Sequence, residues 1–140
     1  MSTVLPQKPV LTLAVAKQVV ATAENKAVEK GWAVVIVVVD AAGHLLFLQR
    51  LDGTMLASID IAIKKAVSAV TFKRPTKTFE DALVGGRQAI LGLPGAIPIN
   101  GGEPLLYQGE VVGAIGVSGV KADEDAQVAS AGAAVMTELF

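Results

Sequence analysis

Cysteine is absent from the 140 residues, histidine occurs once, and aromatic side chains make up only 4%. Without cysteine there is no disulfide frame, thiolate metal centre or cysteine nucleophile. A single histidine excludes any centre built from two imidazoles of one chain. An excess of one charge is also lacking: 12 basic and 13 acidic side chains leave a formal net charge of −1, with an isoelectric point near 5.8. That balance argues against nucleic acid or an anionic membrane as partner. The longest apolar run, Trp32 to Val39, is too short to cross a bilayer. The opening MSTVLPQKPVLTLAVAKQ has no basic start followed by an unbroken apolar stretch, so it does not read as a secretory signal. A soluble, compact, intracellular protein is expected.

What the chain does have is Ala, Val and Gly in quantity, 52% hydrophobic residues and a mean hydropathy of +0.55. The length is that of one ordinary domain, with much surface for its volume and little charge to cover it. Apolar surface is left over, and burying it between copies makes a homo-oligomer the expectation.

Residues 1–10, with two prolines and no period, read as an arm preceding a single domain over 11–140. Thr12 can cap a helix to Lys30, because Leu13, Ala16, Val20, Ala23 and Ala27 recur at three- and four-residue steps. Ala33 to Val39, nearly all valine and isoleucine, reads as a central strand buried on both faces. Asp40 to His44 is a turn, and Leu45 to Leu51 returns as the hairpin partner. A second helix is expected over 55–70 with Ile59, Ala62, Ile63, Ala66, Val67 and Val70 inward, then a short one capped by Thr78 and running to Val84. The stretch from Gly92 to Pro104 predicts loop and edge strand, and Leu105–Gln108 with Glu110–Ser118 a second hairpin. Asp123 would cap a last helix whose Val128, Gly132, Val135, Met136 and Leu139 share a face. Hairpins imply an antiparallel sheet with helices over its faces, an α+β sandwich without the crossover of a nucleotide-binding fold.

Phosphate-loop, nucleophile-elbow and metal-spacing signatures are all missing. His44, at a hairpin tip, is either an exposed turn histidine or the group that ligates iron or moves a proton. Arg50 and Asp52 are either a surface ion pair or a carboxylate clamp beside an acid. Lys65 shares a helical flank with the small residues Ser58, Ala62 and Ala69, a strip that reads as pocket wall or subunit seam unless the lysine is simply solvated. Asn100-Gly101-Gly102 offers freed N–H groups to an anion, or forms a plain turn. Tyr107 and Trp32 read as core or interface aromatics.

Four segments, Arg50-Leu-Asp-Gly-Thr54, Ser58 to Ala66, Asn100-Gly-Gly-Glu-Pro104 and Gly113-Ala-Ile-Gly-Val-Ser-Gly119, resemble the GlcG/HbpS family of haem-degrading or haem-binding domains, which includes the C-terminal domain of PduO-type proteins. Asp125 and Gly132 fall where that family's last helix has an acid and a glycine, and the resemblance runs from Leu11 to the end. It implies a profilin-like antiparallel sheet flanked by α-helices, and oligomers, octamers among them, with sites near subunit contacts. The leading reading is a small-ligand-binding oligomer with haem or a related tetrapyrrole as ligand; in it His44 would supply the axial nitrogen to the metal, Arg50 or Lys65 would pair a propionate, and the Asn100–Gly102 loop would lie against the ring. Ala126 stands where many members have glutamate, and the N-terminal iron-linked segment of secreted relatives is not present. These departures point to a cytoplasmic accessory protein. The rival is an isomerase or tautomerase of a small hydroxy- or oxo-acid, with Asp52, Lys65 or His44 as base and the glycine loop as oxyanion donor. A structural oligomer without chemistry is the third reading.

Overall fold

The computed structural model describes residues 3–140. Helix α1 (Leu13–Lys30) starts as expected: the Thr12 hydroxyl accepts from the Val15 N–H at 3.2 Å, and Gly31 closes it. Leu13, counted on the apolar stripe, is exposed, and Val19 takes its place among the buried positions. Strands β1 (Val35–Asp40) and β2 (Leu45–Arg50) form the first hairpin. Helix α2 (Ala57–Phe72) and helix α3 (Lys77–Val84) follow, then a 3₁₀ turn over Gln88–Gly92. Strands β3 (Gly102–Tyr107) and β4 (Glu110–Ser118) form the second hairpin, and helices α4 (Ala122–Ala133) and α5 (Val135–Leu139) end the chain. At the tip of the second hairpin, Gln108 and Gly109 both have positive φ, 50° and 79°, the geometry that matches strand twist in a two-residue turn.

The four strands lie in the order β2-β1-β4-β3, and every neighbouring pair is antiparallel. This is the α+β architecture expected. Alternation in β1 splits the core in two. Val35, Val37 and Val39 face α2, together with Ala114 of β4. Ile36 and Val38 face α1, α4 and α5, together with Ile115 and Val117. Residues Val35 to Val39 have no exposed surface, so the run of valines is a strand with two inner faces.

Several sequence expectations shift. Helix α2 begins two residues later than predicted and runs on to Phe72, and its buried seam is the small strip itself, Ser58, Ala62, Lys65, Ala66 and Ala69, while Ile59 and Ile63 sit half-buried at the margin. Bulky residues cannot occupy the seam because α2 lies directly on β4: a Cβ on Gly116 would run into the Ala62 carbonyl oxygen and stand 2.6 Å from the Ala66 nitrogen. Thr78 does not cap α3. Thr76 precedes that helix, and its hydroxyl accepts from the Gly102 N–H at 2.9 Å. Asp123 does not cap α4 either; the Lys121 N–H donates to Glu124 at 3.2 Å. The last helix is interrupted at Ala134, and Leu139 is exposed.

Replacing Gly116 with alanine is expected to lower stability by about 1–3 kcal/mol, since neither backbone can retreat without loosening the core. Urea-denaturation midpoints of the two proteins measure it.

Candidate functional site

The residues singled out in the sequence separate into two ends of the sheet. At one end, Arg50 and Ser118 both lie opposite Val35, and Gly102 lies opposite Gly116. At the other end are Val39 opposite Leu45, Asp40 opposite Gly113, and Tyr107 opposite Glu110. His44 belongs to this second end. The six residues of β2 span about 20 Å, so His44 and Arg50 do not converge on one compact ligand within a chain.

Lys65 and Asn100–Gly102 do come together, in the interior. Lys65 is only 1% exposed. Its ammonium donates to the Val117 carbonyl at 2.9 Å and to Asp125 Oδ2 at 3.1 Å. The Val117 N–H donates to Gly101 O, so the ammonium takes up the neighbouring carbonyl where β3 has not yet begun. The other carboxylate oxygen of Asp125 accepts from the Val120 N–H at 3.1 Å. Burial pushes the Lys65 ammonium below the usual lysine range, against the attraction and hydrogen bond of Asp125 and the weaker charge of Glu80. Burial likewise raises the Asp125 carboxyl, against the Lys65 charge and the Val120 N–H. Desolvation outweighs attraction for both partners, as expected when two charges leave water together.

The two glycines are explained by this pair. A Cβ on Gly101 would stand 2.8 Å from Lys65 Nζ, and one on Gly102 would strike the Lys65 carbonyl oxygen. The Gly102 N–H is already donated to Thr76, and the Asn100 N–H goes to Glu80 Oε1 at 3.1 Å. These two donors are spent inside the protein and are not available to an anion. Asp125, Glu80 and Thr76 are the members of this cluster that the sequence reading did not connect to Lys65. Partners 60 residues apart leave no local signal.

The other candidates stand at the surface. His44 is exposed, its N–H bonded at 3.0 Å to the Asp40 carboxylate that shapes the turn. Arg50 and Asp52 are exposed, and of the two readings open for them the surface pair is not formed: the ion pairs among the described residues are Lys64–Asp60, Lys65–Asp125 and Lys77–Asp81. An apolar groove of about 340 Å³ opens at the His44 end. It is lined by Pro9, Val10 and Leu11 of the arm, Thr12 and Val15 of α1, Tyr107, Val112, Met136 and Phe140. The Tyr107 and Phe140 rings meet edge to face at 5.0 Å. Neither this groove nor the shallow one between α1 and α4 includes Lys65 or His44.

A family model described as haem degrading protein HbpS-like matches residues 11–134. The chain belongs to the HbpS-like family. Protein GlcG of Escherichia coli K12 is 37% identical over 111 residues, covering 79% of this chain and 83% of that protein. The crystal structure of the Klebsiella pneumoniae protein ORFY superposes with a TM-score of 0.91 at 33% identity, covering 100% of this chain and 99% of the other. A crystal structure of a PduOC–haem complex gives a TM-score of 0.81 at 26% identity, covering 90% of this chain and 94% of the other.

Two outcomes follow from the buried groups. Lys65→Met alone strands the Asp125 carboxylate and is expected to cost about 3–5 kcal/mol, most of which the double replacement with Asp125→Leu restores; denaturant titration of the three proteins checks this. Burial raises the Glu103 carboxyl above its ordinary value of 4.5, against a hydrogen bond from Ser130. The folded state thus holds that proton more tightly than the unfolded one, and the stability this confers is full below the ordinary value and lost as pH rises through the raised one. Glu103→Gln is therefore expected to raise the melting temperature at pH 7 and to change it little at pH 4.

Proposed function

We propose that this chain binds haem or a related tetrapyrrole, seated in the apolar groove between the arm, the β3–β4 hairpin and α5. The observation that carries this reading is the groove itself: a concave, mostly apolar surface with few polar groups, which would hold one face or edge of the ring. It suits the flat apolar ring, and it contains two side chains able to ligate iron, the Tyr107 phenol and the Met136 thioether. The haem complex of the PduOC relative, which shares the fold, supports the same ligand class. Haem held there would supply a redox-active iron, and the chain's own residues would supply an apolar bed and, from Tyr107 or Met136, an atom able to ligate the metal. His44 lies at the same end of the sheet but outside the groove, so it reaches the metal only from the surface or from a neighbouring copy. Lys65 is enclosed and held by two acceptors, which argues against a catalytic base at that position. Asp52, the other base considered, borders neither groove.

Self-association belongs to the same reading. Leu56 is 75% exposed, Val84 83% and Leu91 69%, more apolar surface than a lone chain of this charge covers.

Titration with ferric haem should saturate at one per chain with a sharp, shifted Soret band; a broad change without saturation means adsorption and removes the proposal. Tyr107→Phe is expected to move the band and His44→Ala to leave it in place, whereas the reverse pattern would return the axial role to His44. Light scattering during size exclusion should give a multiple of 14.4 kDa; a monomer at micromolar concentration rejects self-association.

A further inference from the structure

The end of the sheet opposite the groove carries unengaged donors of three kinds, at the start of α2 and at the end of β2. Helix α2 has no side-chain cap: the residue before it is Leu56, and the N–H groups of Leu56 and Ala57 make no hydrogen bond among the described residues. The bare first turn carries the positive end of a 16-residue helix. Next, Ser58 is 1% exposed, and its hydroxyl is a buried polar atom without a partner. Side chains on a helix tilt toward its N-terminus, so the Ser58 Cβ leans toward the uncapped turn and a change of χ1 alone redirects its hydroxyl there. An orphaned buried donor is rare enough to require an explanation. Lastly, Arg50 lies opposite Val35, whose side chain packs under α2, so the exposed Arg50 side chain leaves the sheet on the α2 face, and it forms no ion pair among the described residues. Ser118, also opposite Val35, completes the row.

We propose that this corner binds the carboxylate of a small organic acid. The planar fork of Arg50 matches both carboxylate oxygens. The N–H groups of Leu56 and Ala57 take one oxygen along the helix axis, and a rotation about χ1 of Ser58 turns its hydroxyl from the protein interior to the same oxygen. Two acids stand close in sequence: Asp60, already paired with Lys64 at 2.8 Å, and the exposed Asp52. With one guanidinium and Asp52 nearby, the corner suits a single negative charge and not a phosphate dianion. The inference is independent of haem binding, because it uses none of the groove residues.

The test follows the backbone amide resonances of Leu56 and Ala57 while sodium acetate is added, with sodium chloride at equal ionic strength as reference. Acetate should give saturable shifts that chloride does not. Arg50→Gln should weaken the apparent affinity about tenfold, the loss of one charge-assisted contact. Ser58→Ala should weaken it several-fold while leaving the melting temperature unchanged or higher, because the orphaned hydroxyl is gone. Identical, non-saturating responses to acetate and chloride, or an acetate response untouched by Arg50→Gln, overturn the proposal. Ferric haem and its dimethyl ester, compared on wild type and Arg50→Gln, identify the source of the carboxylate. A loss on esterification that Arg50→Gln abolishes assigns the corner to a propionate of haem seated on a neighbouring copy, and equal affinities assign it to free acids. If haem does not bind at all, the groove reading fails and the acetate titration still decides this one.

Discussion

The Lys65–Asp125 pair is the interaction on which the rest of the structure depends, because it joins layers that the sheet otherwise separates. Lys65 comes from α2 on one face and Asp125 from α4 on the other, and the ammonium also holds the β4 carbonyl of Val117. Around this point the chain has no room for side chains: Gly101, Gly102 and Gly116 pack against α2 or its lysine. Buried pairs of this kind add little net stability, because desolvation offsets attraction. Their effect is to disfavour every arrangement of α2 and α4 that leaves one charge alone. The small-residue seam of α2 and the glycines of β3 and β4 are the steric conditions for that arrangement.

The fold was legible because its signals are local. The unbroken valine run of β1, the Thr12 cap, the glycine after Lys30 and the alternation of the second hairpin each lie within a few residues. Helix edges were less legible where a side chain serves a distant partner. Thr76 looks like one more hydroxyl near a helix start, and only the folded chain shows it bonded to Gly102. Lys65 stood out in the sequence as one charge among small residues, but its burial follows from Asp125, sixty positions on. Asn100-Gly101-Gly102 suggests free N–H groups in the sequence, whereas its glycines serve mainly to admit the lysine. Sequence motifs alone place the candidate residues in one site, and the strand registers divide them, because register depends on pairings between distant segments.

That division gives the sheet two chemically different ends. The end with Tyr107, Met136 and Phe140 is apolar and open; the end with Arg50, Ser58 and Ser118 is polar and rich in unengaged donors. Between them lies a core of small side chains whose buried charges, Lys65 and Asp125, are spent on each other. A ligand at one end has no polar network through which to sense the other, so coupling between the two would have to run through rigid shifts of α2 on the sheet or through neighbouring copies.

The valine-rich strand has a further consequence. Val34 to Val39 is an uncharged stretch of strong strand formers, without proline or glycine, of the kind that stacks into fibrils when it becomes accessible. In the native chain it is flanked by β2 and β4 and roofed on both faces, so neither its backbone nor its side chains meet another molecule. The same placement makes its protection all-or-none. Loss of β2 or of the α2 layer would present a ready template for intermolecular pairing, and synthesis delivers this strand long before β4 exists to cover it. Folding yield in a crowded cell is thus governed by how quickly the C-terminal hairpin arrives, a burden that falls on chaperones and translation rate more than on native-state stability.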